Sequence, residues 1–461
     1  MSSNQVDLPE DANPGFETLT AEGLDGLRDL MRAGDAKALF GELEGLHESD
    51  IAEIISLLTP EQRLVFMGLV GEDIPAAVFP ELDEHIRDEI IEFVDLKKMV
   101  STVRELDSDD AVFVLEDMDV EDREEILKNL PSLNRLVLER ALEFPDDSAG
   151  RLMQSEFVAV PPFWSVGQTI DYLRSSDDLP DDFLEIYITE PTYKPLGAVY
   201  SSQILRTDRA VEMSSLMHDD LKLLQADTDR EDVARLFERY HLVSAAVVDE
   251  DKRLLGVITP DDIFEVIADE AGEDILLLGG VGDEAVTDSV YEAARGRLSW
   301  LFLNLLTAIA ASLVIGMFDA SIEKMVALAV LMPIVASMGG NAGTQTLTIA
   351  VRGLATQELQ PANMLRVVYR EIGVGLFNGV FFAIITGLIA AFWFDSASLG
   401  VVLAAAMVVN LFVAALAGIL IPIGFSRAGI DPALASTVFV TTVTDVIGFL
   451  AFLSFATIFL V

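Results

Sequence analysis

The chain has 461 residues, a formal net charge of −46 and no cysteine, which excludes disulfides, thiolate metal sites and cysteine catalysis. A surface this acidic repels phosphate, so no nucleic-acid partner is expected, whereas cations are attracted. Only seven of the 76 acids and five of the 30 bases lie from Trp300 onward, so one part of the chain is built for water and the other for lipid.

The acids come with eight lysines against 22 arginines. Most of them read as a solvating coat of the kind that suits high salt, a halophilic composition. His47, His85, His218 and His241 do not cluster, so no zinc or copper site is expected. Residues 1–16 read as an acidic tail with no signal-peptide pattern.

Residues 17–147 read as an all-α domain of short amphipathic helices stacked into a small superhelix. Asp50–Leu57 carries apolar residues at helical spacing, as do the stretches after Asp109 and Glu121, with breaks at Thr59-Pro60 and Leu130-Pro131. Residues 148–260 hold a two-fold repeat. Leu152-Met153 opens one copy and Leu216-Met217 the other, and Pro195–Val199 answers Leu254–Ile258. Ala245–Val248 and Arg253–Ile258 are the clearest strands. The pattern resembles the cystathionine-β-synthase-type (CBS) pair, an α/β regulatory module. In the second copy, Gly256-Val-Ile-Thr259-Pro-Asp-Asp262 is similar to that family's ribose-contacting turn, which points to Thr259 and Asp262 as nucleotide-binding residues. The first copy has Ser201-Ser202-Gln203 there and lacks the acid.

Residues 261–296 connect this module to the apolar region, with one long acidic helix over 261–279. Asp262, Glu265, Asp269 and Glu273 recur at spacings of three and four and share a face, with Glu270 and Asp274 beside them. Ile263, Ile267, Ala271, Ile275 and Leu278 are expected on the other side. Like charges this close repel, and a divalent cation bridging them to another acidic surface would relieve the cost.

Residues 297–461 read as an all-α membrane domain of five spans, roughly 298–318, 325–350, 367–394, 398–424 and 434–460. With the N-terminus inside, Arg295, Arg297, Arg352, Arg366, Arg370 and Arg427 fall on the cytoplasmic side and only Lys324 outside. That bias predicts a multi-pass cell-membrane protein with a cytoplasmic N-terminus and an external C-terminus. Asp445 falls near mid-membrane among Thr441, Thr442 and Thr444, where a carboxylate needs water or a cation. Asp431, 14 residues earlier, would sit about 21 Å along a helix, at the cytoplasmic mouth. The second span carries Pro333–Thr346, with three glycines, Asn341 and Gln345. Such a stretch suits a kinked helix whose freed carbonyls line a wet path, although the glycines also suit tight packing.

Pro333–Thr346, Asp431–Ser436 and Thr441–Asp445 together resemble the MgtE family of magnesium channels and transporters, and the likeness covers nearly the whole chain. The resemblance implies a homodimer with one pore, which passes Mg²⁺ into the cytoplasm and closes when magnesium binds between the cytosolic domains. It implies Asp445 as the selecting carboxylate, Asp431 at the mouth and Asn341 in the pore. It implies regulatory metal ligands at Asp110 (with Asp109 as the rival), Asp229, Glu231, Asp262, Glu265, Glu270, Glu273 and Asp274. ATP is a further regulatory ligand to consider, and Co²⁺ an alternative cargo. No His, Cys or nucleophile–base pair lies near the spans, so an enzyme is not expected, and Asp445 argues against an anion channel.

Overall fold

The structure, a computed structural model, describes residues 20–116, 118–176, 179–180, 182–281, 290–434 and 436–461, with only the backbone of 21, 22, 292 and 436. The expected tail and part of the connecting segment lie outside the described residues. The chain forms two compact units that part between Asp269 and Glu270.

In the first unit, helices from Ala21–Ala33 to Ser132–Ala141 stack as expected around one core that runs from Leu24 to Ala141. Local chemistry sets where they begin. Thr20 and Asp35 accept N–H bonds at helix starts, and Thr59 forms a capping box with Gln62 ahead of Pro60. Arg63 is buried and paired with Glu89, and the Arg87 guanidinium lies 4.3 Å from the Phe113 ring centre.

Among the described residues, two three-stranded sheets follow. One is β1 (Ala159–Val160), β2 (Glu185–Thr189) and β3 (Pro195–Tyr200), and the other β4 (Leu223–Gln225), β5 (Ala245–Val248) and β6 (Leu254–Ile258). In each, the first pair is parallel and the second antiparallel. The short strands β1 and β4 escape sequence reading because two or three residues carry no period. The repeat has a physical basis. The segment after each Leu-Met pair bonds to the other copy's glycine-bearing strand, Gln154 with Val257 and His218 with Ala198. A Cβ on Gly256 would stand 2.5 Å from the Gln154 carbonyl and one on Gly197 2.4 Å from that of His218, so only glycine admits the crossing.

Among the described residues, the second unit holds five helices long and apolar enough to cross a membrane. They are Val290–Gly316, Ala327–Ala355, Met364–Trp393, Ala397–Arg427 and Ser436–Phe459, with a short helix Asp319–Lys324 between the first two. All five expected spans are present, with ends that differ by a few residues except at the start of the first. The fourth is the scaffold: 56% of its apolar window is buried within the chain, against 6% for the first. The connecting helix runs Pro260–Gly279 and crosses the division between the units. It buries Ile263 and Val266 near its start and Leu277 near its end, while Ile267 is 44% and Ile275 70% exposed. The single apolar side expected from the sequence is therefore not what is buried, because the two ends pack into different cores.

Candidate functional site

The second span is helical without a break from Ala327 to Ala355, through Pro333. Its glycines serve close contact between spans, the packing alternative to a kink. A Cβ on Gly343 would stand 2.4 Å from a Val440 methyl carbon and 3.6 Å from Thr444 Cγ2, and one on Gly340 would stand 3.6 Å from Thr441 Cγ2. Second and fifth spans thus lie against each other through small residues. Pro333, Ser337, Asn341 and Gln345, each four residues from the last, are exposed. Asn341 reaches Ser337 Oγ at 3.4 Å. The flanking contacts bring Asn341 and Asp445 to within about one helical turn of the same depth.

Asp445 is half-buried and makes no ion pair or hydrogen bond with the described residues. The neighbouring hydroxyls are satisfied within their own helix: Thr441, Thr442 and Thr444 donate to the carbonyls of Thr437, Val438 and Thr441. Asp431 is not on the helix that carries Asp445. The fifth helix starts at Ser436, so Asp431 lies in the turn before it, where Oδ1 accepts the Ala433 N–H at 2.7 Å.

The connecting helix ends beside this region. Leu277 packs with Leu347, Val351 and Val440, and Thr437 Oγ1 donates to the Leu278 carbonyl at 2.8 Å. Burial raises the Asp274 carboxyl above its ordinary range, and repulsion from Asp431 and Glu270 adds to it. Asp274 and Asp431 therefore feel one another at the start of the fifth span.

A second acidic group forms in the first unit. Helix Ser108–Glu116 is anchored at its start by Ser108, whose Oγ donates to Glu156 at 2.7 Å and accepts the Ser155 N–H at 2.7 Å. Its first turn presents Asp109 and Asp110 to the start of the connecting helix. Burial, then repulsion from Asp262 and Asp110, pushes Asp109 well above the carboxylate range. Burial, then Asp107, Glu265, Glu81 and Asp261, pushes Asp110 to about 7. Asp262 is also pushed to about 7, by burial and then Asp261, against the pull of its Thr259 hydrogen bonds. Burial and then Glu81, Asp269 and Asp261 raise Glu265. The bases on the rim of this cleft are engaged with other acids, Arg151 with Asp146 and Arg230 with Asp147. Among the described residues, no three His, Asp or Glu side chains are spaced to chelate a metal directly. The arrangement is repulsive, oxygen-only and partly desolvated, which fits a hydrated hard cation.

Asp109, Asp110, Asp262 and Glu265 thus come together. Asp229 and Glu231 do not join them: Asp229 caps helix Arg230–Tyr240 and Glu231 pairs with Arg235. Thr259 Oγ1 and N–H both donate to Asp262 Oδ2, at 2.9 and 3.2 Å, so the two expected nucleotide contacts bond each other at the helix start. Sequence reasoning passed over Glu81, Asp107, Asn410 and Glu371. Glu371 is buried in the third span, paired with Arg370 and 3.5 Å from Thr346 Oγ1. A polar residue inside an apolar span was the available signal for it and for Asn410.

Comparison with known proteins agrees with this layout. A family profile described as divalent cation transporter matches residues 332–455, one for the MgtE intracellular N domain matches 46–147, and one for the CBS domain matches 213–269. The chain is 31% identical over 444 residues to the magnesium transporter MgtE of Thermus thermophilus, covering 94% of this chain and 98% of that one. It is 28% identical over 432 residues to the magnesium transporter MgtE of Bacillus subtilis, covering 94% and 96%. Among solved structures, the cytosolic domain of the Mg²⁺ channel MgtE in complex with ATP is 26% identical, covers 53% of this chain and 99% of that one, and has a TM-score of 0.49. The chain belongs to the MgtE family of divalent cation transporters.

Proposed function

We propose that the chain is a magnesium channel of the cell membrane that admits Mg²⁺ to the cytoplasm and is closed by magnesium on the cytosolic side. The observation that carries this is in the membrane unit. The exposed side of the second span at Ser337, Asn341 and Gln345 lies within about one helical turn of the depth of Asp445, a carboxylate without a basic partner among the described residues. Lipid covers such a surface only at high cost, whereas water and a cation suit it. A second copy of the chain presenting the same surface across a two-fold axis would enclose the path and double its carboxylates. Asp445 and Asn341 then line the path, and Asp431 stands at its cytoplasmic mouth. Arg352, Arg366, Arg370 and Arg427 support that orientation. The donors are carboxylate, amide and hydroxyl oxygens, the set Mg²⁺ prefers, whereas Co²⁺ also takes imidazole and thiolate.

Closure is assigned to the acids. Asp109 and Asp110 face Asp262 and Glu265, and Glu270, Glu273 and Asp274 continue the series toward Asp431. Magnesium bound there supplies the charge that relieves their repulsion. The arrangement it binds best becomes the populated one. Asp229 and Glu231 are at the margin of this set because a helix cap and Arg235 already engage them. ATP is a second regulatory ligand on the same proposal, at the Gly256–Asp262 turn.

Flux into liposomes loaded with a magnesium-sensitive dye tests the path. Asp445→Ala should abolish flux and leave the protein folded and dimeric. Wild-type flux in that variant removes Asp445 from the mechanism.

A further inference from the structure

The fourth span carries one amide in its interior, Asn410, and that side chain is completely buried. Its Nδ2 donates to the Val335 carbonyl of the second span at 2.7 Å. Its Oδ1 has no hydrogen-bond partner among the described residues. Two glycines close on it from different spans: a Cβ on Gly339 would stand 2.3 Å from Nδ2, and one on Gly448 2.8 Å from it. Three helices therefore meet at one amide, with room for nothing larger than hydrogen on either neighbour.

An apolar side chain of similar size would fill this volume without burying an unpaired oxygen. What the amide adds is a hydrogen bond between two spans, and its position gives that bond a use. Gly339 lies two residues before Asn341, and Gly448 three residues after Asp445. The amide thus holds both pore elements by their own helices. The bond to Val335 fixes the height of the fourth span against the second, and Gly448 fixes the rotation of the fifth against both. A pore that recognises an ion through its water shell depends on the spacing between its oxygens, because neither carboxylate nor amide grips the ion directly.

We infer that Asn410 is a positioning residue for ion selection: it touches no ion and sets the separation and rotation of Asn341 and Asp445. The inference rests on the assignment of Asp445 to the ion path.

The test uses the full-length protein in liposomes and reads the Mg²⁺ to Na⁺ permeability ratio from reversal potentials, with thermal unfolding recorded alongside. Asn410→Ala should lower the ratio at least tenfold while current persists. Adding Gly339→Ala, which returns bulk to the vacated space, should recover part of it. A folded Asn410→Ala protein with an unchanged ratio overturns the proposal, even if it unfolds at lower temperature, because a purely structural amide changes stability and not selection. Where Asn410→Ala fails to assemble, Asn410→Ser gives the same reading, and failure of both shows that the amide only holds the fold, which also overturns it. Wild-type flux through Asp445→Ala sinks the path assignment instead, so the two failures are distinguishable.

Discussion

Thr437 Oγ1 donates to the carbonyl of Leu278 at 2.8 Å, which joins the first turn of the fifth span to the last turn of the connecting helix. The Leu278 carbonyl is one of the four at a helix C-terminus that have no partner inside the helix. The same two turns share Leu277 and Val440 in one apolar cluster. The span that holds Asp445 is thus tied to the helix that carries Asp262, Glu265, Glu270 and Asp274.

Removing that tie should weaken closure without changing the open path. Thr437→Val keeps the shape and loses the donor, a change of about 1 kcal/mol. The magnesium concentration for half-closure should rise about fivefold, while Thr437→Ser restores it. Current measured against cytosolic magnesium checks both, and an unchanged half-closure concentration would show that the bond transmits nothing.

The acids of the first unit predict a pH dependence of unusual sign. Asp110 and Asp262 have folded values pushed up to about 7, above the ordinary carboxylate range of the unfolded chain. Between those values the folded state holds more protons than the unfolded one, so stability falls as pH rises. Without divalent ions, the unfolding temperature of the first unit should drop between pH 5 and pH 8, the larger part being lost as pH approaches about 7. Magnesium should remove most of the drop, as should Asp110→Asn with Asp262→Asn. A flat profile in EDTA contradicts the repulsive cluster.

Nucleotide binding has its own check. Thr259 and Asp262 already bond each other, so ATP must compete for Asp262 with the helix start and with the acids that face it. Weak binding to the magnesium-free protein is expected, weaker still in Asp262→Ala. Calorimetry with no heat and no thermal shift would falsify it.

Neutralising Asp262, Glu265, Glu270 and Glu273 together should leave the path open at high magnesium. Going from mostly open to mostly closed takes about 5.5 kcal/mol. Several weak sites supply that jointly, whereas one site of millimolar affinity does not. Protease cleavage within the connecting helix should stop responding to magnesium in the same variant.

Much of this was legible in the sequence because it is local. Spans announce themselves by hydropathy, the CBS repeat by Leu-Met and glycine spacing, and the connecting helix by charge period. Asp109 and Asp110 against Asp262 and Glu265 became visible only through the resemblance, since the pairs are far apart in the chain. The use of the second-span glycines stays open in the sequence because composition does not tell which side of a helix meets another helix. Gly339 acquires its meaning from Asn410, on a different span. The apolar side of the connecting helix misled for a related reason: Val266 and Leu277 are buried in separate cores, while Ile275 stays exposed.

The most direct measurement is single-channel current with Mg²⁺ as the sole permeant cation, titrated with magnesium on the cytosolic side at constant high potassium. Steep loss of open probability with magnesium, and none when potassium is raised by the same ionic strength, is the expected result, because screening alone does not bridge facing carboxylates. An open probability indifferent to cytosolic magnesium would contradict it and leave the acids as a coat for solubility.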